Sequence, residues 1–137
     1  METEKNNIYQ EFAAEASALQ ARSVALRRDL HRHPETGWLE MRTTAIIVRR
    51  LRALGYQVLT GREVCLESAR LGLPDADIMA AHAEAVLQQG VTEEELTPDL
   101  REGFTGAIGV LDCGPGPVVA LRFDIDALGM VECPEAT

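Results

Sequence analysis

Residues 26–60 read "LRRDLHRHPETGWLEMRTTAIIVRRLRALGYQVLT", and the fold class turns on how that stretch is punctuated. Its first part closes a long helical pattern. Ile8, Phe12, Ala16, Leu19, Leu26 and Leu30 recur at three- and four-residue steps, with Ser23 filling one gap, which is one apolar stripe on an amphipathic helix. Pro34 biases His33 away from helical geometry and Gly37 breaks the pattern, so the helix is predicted to end at "HRHPETG". A second helix is predicted over roughly Glu40 to Leu54, with Met41, Ala45, Val48 and Leu51 on one side. Gly55 stands where a left-handed cap is needed, and "YQVLT" then reads as a short strand. Helix, glycine and strand in that order belong to an α/β layer.

Downstream, residues 62–102 form an acidic, mainly helical insert. Its "LPDADIMAAHAEAVLQQG" portion opens as a helix after Pro74 and closes at Gly90. "TEEELTPDL" is expected to add a short second helix, capped by Thr92 with Glu95 completing a capping box. "FTGAIGVLDC" and "VVALRFDID" flank the turn "GPGP" and predict two strands joined as a β-hairpin. There is no internal repeat and no low-complexity segment.

At 137 residues the chain has the length of one ordinary domain. Apolar residues make up 46% and aromatic residues 4%, so the core must be built mostly from aliphatic side chains. The formal charge of −9 argues against non-specific binding of nucleic acid and favours small-molecule or protein partners. That total conceals eight arginines between Arg22 and Arg52 against Asp29, Glu35 and Glu40. They fall on the polar sides of amphipathic patterns and read as solvated helix faces. No apolar run approaches the roughly 20 residues needed to span a membrane. The start, "METEKNNIYQ", lacks the cationic and apolar regions of a secretory signal. Cys65, Cys113 and Cys133 show no CxxC spacing and are odd in number, which fits free thiols in a reducing cytoplasm.

The chemistry-bearing residues gather late. In "GPVVALRFDIDAL", residues 116–128, period-two geometry puts Arg122, Asp124 and Asp126 on one face at the carboxyl end of the expected strand. Ligand crevices of open α/β sheets form at such ends. Two neighbouring carboxylates repel, so keeping both ionised needs a metal, a histidinium or an arginine nearby. An equally good reading has one aspartate capping the next element while Arg122 pairs with the other. His31 and His33 point in divergent directions if both are helical, which favours a helix-terminal role over a shared metal. His82, in the acidic insert, reads as a surface residue. No activating base accompanies Cys113 or Cys133 in the sequence, so neither reads as a nucleophile.

"LRRDLHRHPETGWLEMRTTAIIVRRLRALGY" followed by "GPVVALRFDIDAL" resembles the amino-terminal part of the M20 metallopeptidase and amidohydrolase family. The earlier block looks like its His-x-x-Pro-Glu helix pair. The later block is similar to its R-A-D-M-D-A-L strand end, in the branch that cleaves N-acyl and indole-acetyl amino acids. "GREVCLESARLGLP" and the acidic insert are most similar to members acting on aminobenzoyl-glutamate. The resemblance implies that residues 1–137 are the amino-terminal portion of a single α/β/α three-layer, zinc-peptidase-like catalytic domain. In the whole family that domain carries a smaller dimerisation domain. Two divalent metals, zinc or manganese, and a glutamate base are implied for the full-length enzyme.

On this resemblance Asp126 matches the aspartate that supports a metal-ligating histidine, and is the implied catalytic residue of the chain. Asp124 stands where distant relatives carry a metal-binding histidine, and is a weaker ligand candidate. The family's Cys-Gly-His-Asp-x-His segment, its paired glutamates and its later histidines are expected after Thr137. The chain by itself is therefore expected neither to hold the metals nor to hydrolyse amides. Many relatives continue the motif as "DALP", whereas Gly129 follows Leu128 here. The implied partners are a small-molecule N-acyl amino acid substrate and either a second copy, making a homodimer, or a second hydrolase subunit. Neither nucleic acid nor membrane is implied. The rival reading is a partner-binding module or the remnant of a truncated gene, offering an exposed sheet edge. A dinucleotide-binding domain fits less well, because "GAIGV" and "GPGP" do not make GxGxxG between a strand and a helix.

Overall fold

The structure is a computed structural model that describes residues 2–130 and 133, with side chains from residue 7 onward. Residues 34–129 form one compact unit, and the amino-terminal helix belongs to another.

That helix, α1 (Glu2–Arg32), contains no proline or glycine and ends where Pro34 predicts. Its last turn is closed by the His33 imidazole, whose Nδ1 lies 2.9 Å from the Asp29 carbonyl, the helix-terminal role expected for that histidine. Ile8, Phe12, Leu19 and Leu26 of its apolar stripe are exposed.

In the other unit, α2 (Met41–Ala53) follows the predicted bounds closely. It ends in a Schellman motif: Gly55 has φ +85°, its N–H donates to Arg52 and the Tyr56 N–H donates to Leu51. β1 (Gln57–Thr60) follows at once. Two 3-10 turns, Gly61–Glu63 and Glu67–Ala69, lead to α3 (Ala76–Leu87), then α4 (Pro98–Arg101) and β2 (Ala107–Val110). Met41 and Ala45 of α2 meet Ala83 and Val86 of α3 with Val91, Leu96 and Leu100 in a single buried cluster. This core is aliphatic, as the composition requires.

The Thr92–Glu95 capping box forms: the Glu95 N–H donates to Thr92 Oγ1 (3.3 Å), and the Thr92 N–H donates to the Glu95 carboxylate (3.0 Å). It opens a turn rather than a helix. Pro98 forces Thr97 into an extended conformation, so the chain restarts there, with Thr97 as the cap of α4.

The expected β-hairpin is not formed. β2 pairs antiparallel with β1, from Gln57↔Val110 to Thr60↔Ala107, and residues 61–106 are the connection between those neighbouring strands. "VVALRFDID" forms no strand and has no pairing partner among the described residues, leaving Val118 95% and Phe123 75% exposed. The reason is in its pattern. Apolar residues alternate onto both sides, which demands a covering layer on each side. α2 packs against both β1 and β2, whereas nothing described covers residues 118–123. The architecture is therefore mixed, with helices and a small antiparallel sheet.

The arginines also divide more finely than expected. Arg42 is buried and donates through Nε to the Gln89 carbonyl (3.1 Å), so it is not on a solvated face. An arginine at that place in α2 has Met41 and Thr43 as buried neighbours, and its head must find acceptors inside the unit. Arg49 remains at the surface in a bidentate pair with Glu95. In the insert, the guanidinium carbons of Arg62 and Arg70 stand 4.0 and 3.5 Å from the centre of the Phe104 ring, which is 1% exposed.

Candidate active-site wall

The loop between α1 and α2 is organised by Glu35, which is 4% exposed. Its Oε1 accepts the Arg42 N–H (2.8 Å) and its Oε2 the Thr43 N–H (2.7 Å). These are first-turn donors of α2 with no partner inside the helix, so a residue several positions upstream does the work of a cap. Glu40, in the N-cap position itself, makes no such bond. Its carboxylate accepts from Thr105 Oγ1 (2.7 Å), while Thr44 Oγ1 accepts the Gly106 N–H (2.9 Å), which fixes the entry to β2. Trp38 adopts φ +68° and donates Nε1–H to the Leu71 carbonyl (2.8 Å), anchoring the loop to the insert.

A third donor reaches Glu35 from the insert. His82 Nε2 lies 2.9 Å from Oε1. The hydrogen bond with Glu35 raises the His82 pKa above its ordinary value; burial opposes this, and the Glu35 charge and a hydrogen bond to the Leu39 backbone add to it. His82 is thus a half-buried partner of a buried carboxylate, not the surface residue its composition suggested. A signal was present: Met79, Ala83 and Val86 mark the inward side of α3, and His82 sits among them. A polar group on such a side must find a partner.

Glu35 also grips the late segment through its backbone, because its carbonyl accepts the Ala127 N–H at 2.7 Å. Ala127 directly follows Asp126. The two sequence blocks that carry the family resemblance are therefore joined at one residue. Asp124 pairs with Arg122 (2.7 Å) with both side chains exposed, so the arginine reading holds for that aspartate. Asp126 is exposed. The described residues contain no group of three or more His, Cys, Asp or Glu side chains placed to hold a metal ion. Cys65, Cys113 and Cys133 are free thiols.

No protein-family model matches the chain. Over 107 residues it is 44% identical to the A subunit of p-aminobenzoyl-glutamate hydrolase from Escherichia coli (strain K12). Over a span of the same length it is 41% identical to indole-3-acetyl-aspartic acid hydrolase of Enterobacter agglomerans. The chain is homologous to these hydrolases. Each alignment takes in 77% of this chain and 24% of the relative, so the chain spans about a quarter of the length of the curated hydrolases it matches. The fold agrees: the crystal structure of the aminobenzoyl-glutamate utilization protein from Klebsiella pneumoniae superposes with a TM-score of 0.81 at 41% identity, over 85% of this chain and 30% of that one. Among the described residues no helix is long and apolar enough to cross a membrane.

Proposed function

We propose that this chain is part of a metal-dependent amide hydrolase of the M20 type that acts on N-acyl amino acids, with aminobenzoyl-glutamate as its leading substrate. The 44% identity to a hydrolase named for that substrate carries the reading. A divalent zinc or manganese ion would polarise the amide carbonyl and acidify the attacking water. The contribution assigned to this chain is positional. Asp126 is assigned the carboxylate role beside a metal-ligating imidazole supplied by residues outside this chain, and Asp124 stays bound to Arg122. Two relatives are named as the A subunit of their hydrolase or its homolog, which supports a further hydrolase subunit in the assembly. Three free thiols support a cytoplasmic setting.

The test is an assay on the protein isolated from its source, following release of p-aminobenzoate from p-aminobenzoyl-glutamate with and without a chelator. Chelator-sensitive release, lowered at least 100-fold by Asp126→Ala, is expected, and the 137-residue chain alone should release none. Release that survives chelation would overturn the metal assignment. Another reading, a partner-binding module, has the exposed run Val118, Val119, Leu121 and Phe123 in its favour. It would be preferred if the isolated protein is inert towards N-acyl amino acids.

A further inference from the structure

We propose that His82 is a positioning residue that, acting through Glu35, sets the Asp126–Ala127 peptide and so ties the acidic insert to the candidate active-site wall. The inference rests on the assignment of Asp126 above for its functional meaning, but its geometry stands by itself.

Three elements converge on Glu35. From α2 come two backbone N–H donors, one to each carboxylate oxygen; from α3 comes the His82 ring; from residues 126–127 comes the Ala127 N–H, taken by the backbone carbonyl. A carboxylate almost wholly removed from water accepts only and must be met by donors. The two backbone donors are fixed by the helix. His82 is the donor that another sequence could withdraw, and withdrawing it leaves Oε1 with a single backbone partner. The carboxylate and the carbonyl belong to one short loop residue pinned between Pro34 and α2. Loosening the hold on the carboxylate therefore loosens the loop backbone that offers its carbonyl to Ala127.

Among the described residues, the Ala127 bond is the backbone hydrogen bond that anchors residues 118–129 to the rest of the compact unit. Gly129 supports the same approach: a Cβ there would stand 3.4 Å from Thr36 Cγ2, in contact with the loop. A disturbance at Glu35 thus reaches Asp126 with little else to resist it. The ionisable group that faces His82 is Glu35. Arg42, whose backbone N–H shares Oε1, directs its Nε to Gln89. His82's own neighbours along α3, Ala81 and Ala83, carry no charge.

The experiment uses the 15N-labelled 137-residue chain and follows the Ala127 amide by NMR in the wild type, His82→Gln and His82→Leu. Glutamine keeps a donor within reach of Oε1, and leucine does not. His82→Leu should lower the hydrogen-exchange protection of Ala127 at least tenfold while the β1–β2 amides keep theirs, and His82→Gln should restore protection to within threefold. Unchanged protection in His82→Leu, with the sheet amides intact, overturns the proposal. Should His82→Leu fail to fold, the wild type decides: the Ala127 amide shift should follow pH with the midpoint read from the His82 ring's own resonances. An Ala127 signal that ignores that midpoint overturns the proposal too. Neither readout involves catalysis, so failure of the hydrolase assignment, seen in the p-aminobenzoate assay, stays separable from failure of this coupling.

Discussion

The loop around Glu35 and the segment 118–126 carry the two halves of the same family resemblance, yet they are built by opposite rules. Around Glu35 a buried charge is met by donors from two helices, and the backbone is pinned on both sides. In residues 118–124 the side chains stand in solvent and the ion pair of Arg122 with Asp124 is a surface one. A turn can complete its chemistry with what lies within a few residues and one visiting helix. A two-faced strand cannot, because its stability belongs to neighbours on either side.

The strongest way to break that contrast is Glu35→Ala. It strands two helix N–H groups and an imidazole, and should cost about 3 kcal/mol, read as a fall in the urea midpoint. A loss below about 1 kcal/mol would mean that the loop is no better held than the segment. Gly61→Ala should follow at about 2 kcal/mol, since φ is +62° and the new Cβ would run into Asp99, which accepts the Arg62 N–H. It tests whether the insert is as firmly seated as the loop it reaches.

A smaller effect should come from pH. The folded pKa of His82 is raised, so the stability it contributes is fully present below its unfolded value of about 6.5 and is lost as pH rises through the folded value. The urea midpoint should therefore decline on the alkaline side in the wild type, and that part of the decline should vanish in His82→Gln. Smallest of all, Phe123→Ser and Arg122→Ala should each change stability by less than about 0.5 kcal/mol, because neither side chain is buried. A larger loss in either would mean that the segment is packed in solution.

What could be read from the sequence follows the same division. α2, its glycine stop, β1 and α3 were legible because each is set by a local period and a local terminator: Met41 and Ala45 inward, Gly55 at positive φ, Gly90 after α3. The capping box of Thr92 and Glu95 was legible as chemistry but not as a helix, since Pro98 imposes a restart a few residues later. The strand partner was misjudged because hairpin reasoning favours the nearest strand across a turn. Here β2 turns back to β1 over a long excursion, a pairing fixed by their common packing on α2. His82 reads as a surface residue because an acidic, alanine-rich stretch looks like surface, and only the phase of α3 turns that residue towards Glu35.

The pairing of Thr60 with Ala107 brings the two ends of residues 61–106 together. Residues that face each other across an antiparallel pair stand about 5 Å apart, a gap that a two-residue hairpin turn closes. The long excursion between them therefore leaves and rejoins the sheet at one place, yet it supplies Ala83, Val86, Val91, Leu96 and Leu100 to the core that Met41 and Ala45 of α2 share. Without that excursion Met41 and Ala45 would lose their buried neighbours and Glu35 the ring of His82, so the two ends that meet at the sheet enclose the material that holds the unit together.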